Sequence, residues 1–330
     1  MSEPFQAMIL HREDKRTIPS IESIDESRLP DGEVVVDVAY SSLNYKDALA
    51  VTGKGKVVRS FPIVPGIDLA GTVVSSTDPS FRPGDPVLAT GWGLGETTWG
   101  GFAQRARLKA GWLVPIPSRL DAKRAMAVGT AGLTAMLCVM RLEAAGLTAE
   151  QGPVVVTGAG GGVGSLAAAI LAEGGYRVAA VTGRPELGDS LRALGVETIV
   201  PRSEMETTHR PLESQRWAGG IDAVGGRILA RVLAETHYGG CVASCGLAAS
   251  PEMTGTVLPF ILRNVSLLGV ESVVTPFETR REAWDRIARV LAPETLDRLT
   301  RSVSLSEVSK LAEEVLAGRV HGRIVVDPSG

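Results

Sequence analysis

The run VTGAGGGVG from Val156 to Gly164 sets its glycines between a short apolar stretch and SLAAAILA, an order of strand, turn and helix that suits a phosphate-binding βαβ unit. Glycines allow a sharp turn and close approach to a pyrophosphate, and the helix that follows aims unpaired N–H groups and the positive end of its dipole at the anion. Counted against G-x-G-x-x-G, the spaced positions read Ala159, Gly161 and Gly164, so alanine stands at the first glycine. Taken alone, such a loop also reads as a simple chain reversal. The β-branched run PVVVTG from Pro153 and the second strand YRVAAV at 176–181 complete the unit and point to a dinucleotide.

The end of that second strand selects the cofactor. An NAD site usually carries Asp or Glu about 20 residues past the glycines, where it binds the ribose 2′-hydroxyl. Here VTGRPE supplies Thr182, Gly183 and Arg184. A hydroxyl, an open backbone N–H and a planar guanidinium suit a phosphate monoester better than a diol, so NADP(H) is expected over NAD(H). The plainer reading of Arg184 is a solvated charge that opens the next helix.

The elements around these motifs indicate an α/β chain of two domains. From the start to about Ala125, VVVDVAY, AGTVVSS, DPVLATGWG and FAQRARL are short strands broken by Gly and Pro, the pattern of a β-rich barrel-like domain. AMAVGTAGLTAMLCVMRL, 125–142, reads as a helix leading into the nucleotide domain. Strands and helices then alternate to NVSLLGV near Val270, the mark of a doubly wound parallel sheet covered on both faces. RREAWDRIARVL and SEVSKLAEEVLAG return to helical periodicity, and GRIVVDP is a last strand expected to rejoin the first domain. The expected division is residues 1–125 with 271–330, and 126–270, with the active cleft between the two domains.

With 330 residues, 44% hydrophobic and 22% charged, the chain has the composition of a globular protein large enough for two cores. A net charge of −3 gives no basic field for nucleic acid or an anionic membrane, and neither is expected as a partner. MSEPFQAMILHRED does not read as a secretory signal, and no run of about 18 uncharged apolar residues suggests a membrane span. The three cysteines, Cys138, Cys241 and Cys245, form no C-x-x-C pair, which disfavours a disulfide framework or a structural zinc lobe. A reducing cytoplasm is the expected location, with Cys241 and Cys245 as packing residues.

A β-rich first domain followed by GAGGGVG resembles the medium-chain dehydrogenase/reductase superfamily over essentially the whole chain. SSLNYKDALAVTGKGKVVRSFPIVPGIDLAGTV, GWGLGETTWGGFAQ, AVGTAGLTAMLCVM, TGRPE and LPFILRNVSLLGVES are similar to its zinc-free quinone oxidoreductase group, and more closely to the acryloyl-CoA reductase branch, which uses NADPH. The resemblance implies a GroES-like domain joined to a Rossmann-type domain, a homodimer, and reduction of the C=C bond of a 2-enoyl-CoA, with a quinone or general enone as the alternative substrate. Where zinc-dependent relatives carry metal ligands, this chain has Asn44, Gly66, Ile67 and Asp68, and its four histidines are scattered, so no metal is expected.

Carried over by position, the cofactor contacts implied are Tyr45, Gly160, Gly161, Gly162, Val163, Thr182, Gly183, Arg184, Arg202, Leu247, Ile261 and Ser272. Gly318 falls where relatives carry a polar side chain, and could offer only its backbone. Asn44 and Tyr45, beside the place of a lost zinc ligand, are the catalytic candidates as hydrogen-bond donors near nicotinamide and substrate, with Tyr45 also a proton source. Equally, Tyr45 packs on the nicotinamide ring and Asn44 caps a helix beginning at Tyr45 or Lys46. Asp68, the third catalytic candidate, either orients Tyr45 or a water, or is a satisfied turn residue. Arg323 either faces the cleft from the last strand or, the preferred reading, ties the tail to the first domain by an ion pair. Lys54, Lys56 and Arg59 read as solvated charge, with coenzyme A phosphates as the rival partner. Trp92 and Trp99 are expected to line the acyl pocket or to pack the core.

Overall fold

Val154–Val156 is three β-branched residues long and buried on both faces, as a central strand of a parallel sheet must be. In the structure, a computed structural model that describes residues 3–330, it lies within a six-stranded sheet. From one edge the strands run Val196–Pro201, Val178–Thr182, Val154–Val156, Trp217–Asp222, Thr236–Ser244 and Ser266–Gly269, all parallel. Numbered along the chain this is order 3-2-1-4-5-6, which reverses direction beside the strand that feeds the glycine turn. Ligands of open α/β sheets bind outside the strand ends at such a reversal.

Helix Gly162–Glu173 follows that turn with Ser165 to Leu171 all buried. Gly164 permits its close packing, because a Cβ there would stand 2.3 Å from the carbonyl oxygen of Gly158. Helix Gly226–Glu235 buries Ile228, Leu229, Val232 and Leu233 against Val155, Val181 and Val242, a 3.6-residue stripe facing a sheet.

The other unit is built on a seven-stranded sheet. Thr300–Ser304, Arg323–Asp327, Val34–Leu43, Asp68–Ser76, Pro86–Thr90 and Val114–Pro115 lie in that order, and Arg105–Leu108 pairs with Val34–Leu43. A hairpin, Phe5–Glu13 with Arg16–Ile24, adds the buried Ile9 and Leu10 to its core. The last strand, Arg323–Asp327, pairs antiparallel with Val34–Leu43 and parallel with Thr300–Ser304, so the end of the chain returns to this unit.

The first unit holds residues up to Thr130 with Val273–Ala288 and Leu296–Gly330, and the second holds Ala131–Ser272 with Arg289–Thr295. The first boundary lies later than residue 125 because Ala127 and Thr130 are bonded to Arg323 and Asp68 of the first unit. Segment 289–295 joins the second because the Glu173 carboxylate accepts Ala292 N–H at 2.8 Å and Thr295 Oγ1–H at 2.7 Å.

The apolar stretch expected as a helix over 125–142 forms Ala122–Ala144, interrupted by non-helical Gly129. It is long and apolar enough to cross a membrane, yet 83% of its most apolar window is buried inside the protein, the burial of a core helix.

Candidate active site

The glycine turn and the tip of the second strand are joined by one side chain. Arg184 Nη2 donates to the Gly160 carbonyl at 2.8 Å, and Arg184 N–H donates to Thr182 Oγ1 at 3.1 Å. A Cβ on Gly160 would lie 2.6 Å from that same nitrogen, so a larger residue there would displace the guanidinium. Partial burial pulls the Arg184 guanidinium below its ordinary pKa, so the site holds a partly desolvated cation. Arg202 packs beside Gly183, where a Cβ would meet its Cδ at 3.2 Å, and its Nε donates to Glu206 at 2.8 Å.

Thr182, Gly183, Arg184, Arg202 and Gly160 therefore form one cluster at the sheet reversal. Gly161 precedes the helix as its N-cap, while Gly162 and Val163 open its first turn, whose N–H groups lack intrahelical acceptors. These groups fit a dinucleotide with a 2′-phosphate: glycine backbone for the pyrophosphate, guanidinium and hydroxyl for the monoester. Below them, buried Asp222 fixes two strand ends by accepting Thr157 Oγ1–H at 2.7 Å and Gly225 N–H at 2.8 Å, and burial raises its pKa.

Leu247 and Ile261 are 61% and 67% exposed, on the loop after Thr236–Ser244 and on helix Leu258–Arg263. Ser272 accepts Thr134 Oγ1–H at 2.8 Å. Gly318 is a positive-φ residue just past helix Val308–Leu316. Cys138 and Cys241 are buried, and burial lifts the Cys241 thiol to about 11. Contact with Cys245, with burial second, raises Cys138, so neither buried thiol is a ready nucleophile.

In the first unit, Asn44 and Asp68 meet in a buried polar cluster. The Asp68 carboxylate accepts Ser42 Oγ–H at 2.6 Å, Asn44 Nδ2–H at 2.8 Å, Thr130 N–H at 2.9 Å and Thr130 Oγ1–H at 2.5 Å. Asn44 is the N-cap of helix Tyr45–Thr52. Asp47, at the third helical position, accepts Asn44 N–H at 2.8 Å and Ile67 N–H at 2.9 Å. Burial, then the charge of Asp68, raises Asp47 to about 7.

Arg323 completes the cluster without a direct ion pair. It is buried and donates to Ala127 O at 2.8 Å, Asn44 Oδ1 at 3.0 Å and Ser42 Oγ at 3.0 Å, in place of the expected carboxylate. Gly129, at φ 50°, admits the cluster, since a Cβ there would be 2.6 Å from Asp68 Oδ2 and 2.8 Å from Arg323 Nη2. Ser42, Asp47, Gly129 and Thr130 were not singled out from sequence, although N-D at helix positions N-cap and third is a capping signal for Asp47.

Tyr45, first residue of that helix, is 47% exposed, with no hydrogen bond from its hydroxyl to another described residue. Trp92 stacks on Trp112 at 6.4 Å, with the buried Arg280 guanidinium 4.7 Å from its ring centroid, and Trp99 packs against the core that holds Phe5 and Ile63. Lys54 pairs with Glu313.

Two family models match the chain: the alcohol dehydrogenase GroES-like domain at residues 30–118 and the zinc-binding dehydrogenase at residues 162–289. The second name implies zinc, and the side chains do not fit it. Among the described residues no three His, Cys, Asp or Glu groups converge, and the Asp68 carboxylate is already taken by four hydrogen bonds. The acrylyl-CoA reductase AcuI of Ruegeria pomeroyi is 52% identical over 98% of this chain and 99% of its own length. The structure of Escherichia coli K-12 YhdH with bound NADPH is 53% identical, with TM-score 0.96 over 98% of this chain and 100% of that one. Bacillus subtilis YhfP with NAD bound is 44% identical, with TM-score 0.96 over 99% of this chain and 100% of that one.

Proposed function

Because this chain belongs to the acrylyl-CoA reductase family of the medium-chain dehydrogenase/reductase superfamily, we propose that it reduces the C=C bond of a short 2-enoyl-CoA with NADPH, acryloyl-CoA to propanoyl-CoA in the first instance. The observation that carries this reading is the arginine cluster at the second strand, together with a full-length relative of that activity. When bound, NADPH supplies the hydride that adds to the β-carbon of the enoyl thioester.

The residues of this chain hold and orient. Backbone N–H groups of Gly162 and Val163 face the pyrophosphate, the Gly161 N–H being held by the Gly158 carbonyl at 2.9 Å, while Thr182, Gly183, Arg184 and Arg202 take the 2′-phosphate. Leu247, Ile261 and Ser272 complete the cofactor contacts. Tyr45 Oη, without a hydrogen bond to another described residue, donates to the thioester carbonyl oxygen as negative charge develops there, and passes a proton to the α-carbon, its exposed hydroxyl regaining one from solvent water. Asn44 differs from Tyr45: its amide is already directed at Asp68 and Arg323, so Asn44 and Asp68 hold the start of the Tyr45 helix. No step uses a metal.

The chain works as a cytoplasmic homodimer in this reading, pairing through Ser266–Gly269. That strand is the sheet's outer edge, and Val257 and Leu262, at the cap and within helix Leu258–Arg263, are exposed apolar residues. Sedimentation of the purified protein would find a dimer. The function is tested by mixing enzyme, NADPH and acryloyl-CoA and following both NADPH absorbance and the acyl-CoA mass. One propanoyl-CoA per NADPH consumed is expected, and NADPH binding without any turnover would overturn the proposal.

A further inference from the structure

We propose that Arg323 is a positioning residue of the reduction: it sets the orientation of the Asn44 amide and the Ser42 hydroxyl and so fixes the first turn of the helix that carries Tyr45. This rests on the function proposed above. A guanidinium can only donate. Asn44 must therefore turn Oδ1 toward Arg323 Nη1, 3.0 Å away, and that turn sends its Nδ2 hydrogens to Asp68 Oδ2 at 2.8 Å and Asp47 Oδ2 at 3.1 Å. Ser42 Oγ, which accepts from Arg323 Nη2 at 3.0 Å, has its own proton free for one acceptor only, Asp68 at 2.6 Å.

One cation thus removes two ambiguities, the amide flip of Asn44 and the rotor of Ser42. With both settled, Asp47 keeps its second oxygen for Ile67 N–H at 2.9 Å and anchors the third helical position, two residues past Tyr45. The third arm, Nε to Ala127 O at 2.8 Å, locks the same guanidinium to the stretch just before Gly129. Stability alone is a poor account of this arrangement. Apolar residues of similar volume replace buried charge groups at little or no cost in many proteins, whereas a planar three-way donor fixes geometry.

Three proteins decide the question: the parent chain, Arg323→Lys and Ser42→Ala, each measured for acryloyl-CoA turnover and for NADPH affinity by fluorescence titration. Arg323→Lys keeps the charge but cannot reach three acceptors, and loss of reacting geometry predicts a fall in kcat of about tenfold or more, with NADPH Kd within about twofold. Ser42→Ala removes one hydroxyl and, with folding verified by circular dichroism, should lower kcat in the same direction by less. A kcat within twofold of the parent in both variants would overturn the inference, as would a loss confined to NADPH affinity. A parent chain inactive on acryloyl-CoA would instead remove the proposed function, so the two failures are distinguishable.

Discussion

Arg184 and Gly160 meet across the nucleotide-binding unit, with the guanidinium Nη2 2.8 Å from the glycine carbonyl oxygen. One side chain thereby links the glycine turn to the tip of the second strand, the two places proposed for the pyrophosphate and the 2′-phosphate. Arg184→Ala should weaken NADPH by about 10- to 100-fold, the worth of one or two hydrogen bonds between charged groups. NADH should weaken much less. Calorimetric titration of both cofactors checks this, and equal losses would mean that the guanidinium does not meet the 2′-phosphate.

Gly164 has no room for a methyl group, because the carbonyl oxygen and carbon of Gly158, both backbone atoms, would stand 2.3 Å and 2.7 Å from it. Gly164→Ala should cost about 1–3 kcal/mol of stability and loosen the cofactor turn. Gly111→Ala, where a Cβ meets nothing within 4 Å, should stay within about 0.5 kcal/mol of the parent. Urea melts of the two variants give the comparison.

Asp47 supplies a pH dependence of known sign. Its carboxyl is raised from 3.8 in the unfolded chain to about 7 in the fold by burial and by Asp68, so between those values the folded state binds the extra proton. The stability it contributes is full below about pH 4 and is lost as pH rises through about 7. Asp47→Asn should flatten that part of the profile relative to the parent. Thermal melts at half-unit steps from pH 4 to 8 would show the difference, and parallel curves would contradict it.

Prolonged chelation should leave turnover unchanged, and added zinc should not raise it, since the Asp68 carboxylate has its acceptor positions filled by Ser42, Asn44 and Thr130. Activity that disappears with the chelator and returns with zinc would refute this.

What was legible in the sequence was local or periodic. The glycine turn, the βαβ unit and the Arg184 strand tip lie within 30 residues of one another, and the final strand GRIVVDP showed its β-branched core directly. The Asn44 cluster was half legible: Asn44 and Asp68 were marked by resemblance, but Arg323 meets Ser42 across 281 positions and Ala127 across 196, and no local pattern records such pairs. The expectation of an ion pair for Arg323 followed from charge alone, which does not reveal that neutral Asn44 and Ser42 stand between it and the carboxylates. Trp92 was open between pocket and packing for the same reason, since its partners Trp112 and Arg280 are distant in the chain. Segment 289–295 crosses to the second unit through Glu173, a surface-type residue that gave no signal.

The most direct test compares kcat/KM for acryloyl-CoA with that for a small quinone, both with saturating NADPH. A preference for the CoA thioester of at least about tenfold, equivalent to about 1.4 kcal/mol of transition-state binding, is the predicted result. A smaller ratio, or a preference for the quinone, would contradict the assignment to enoyl-CoA reduction.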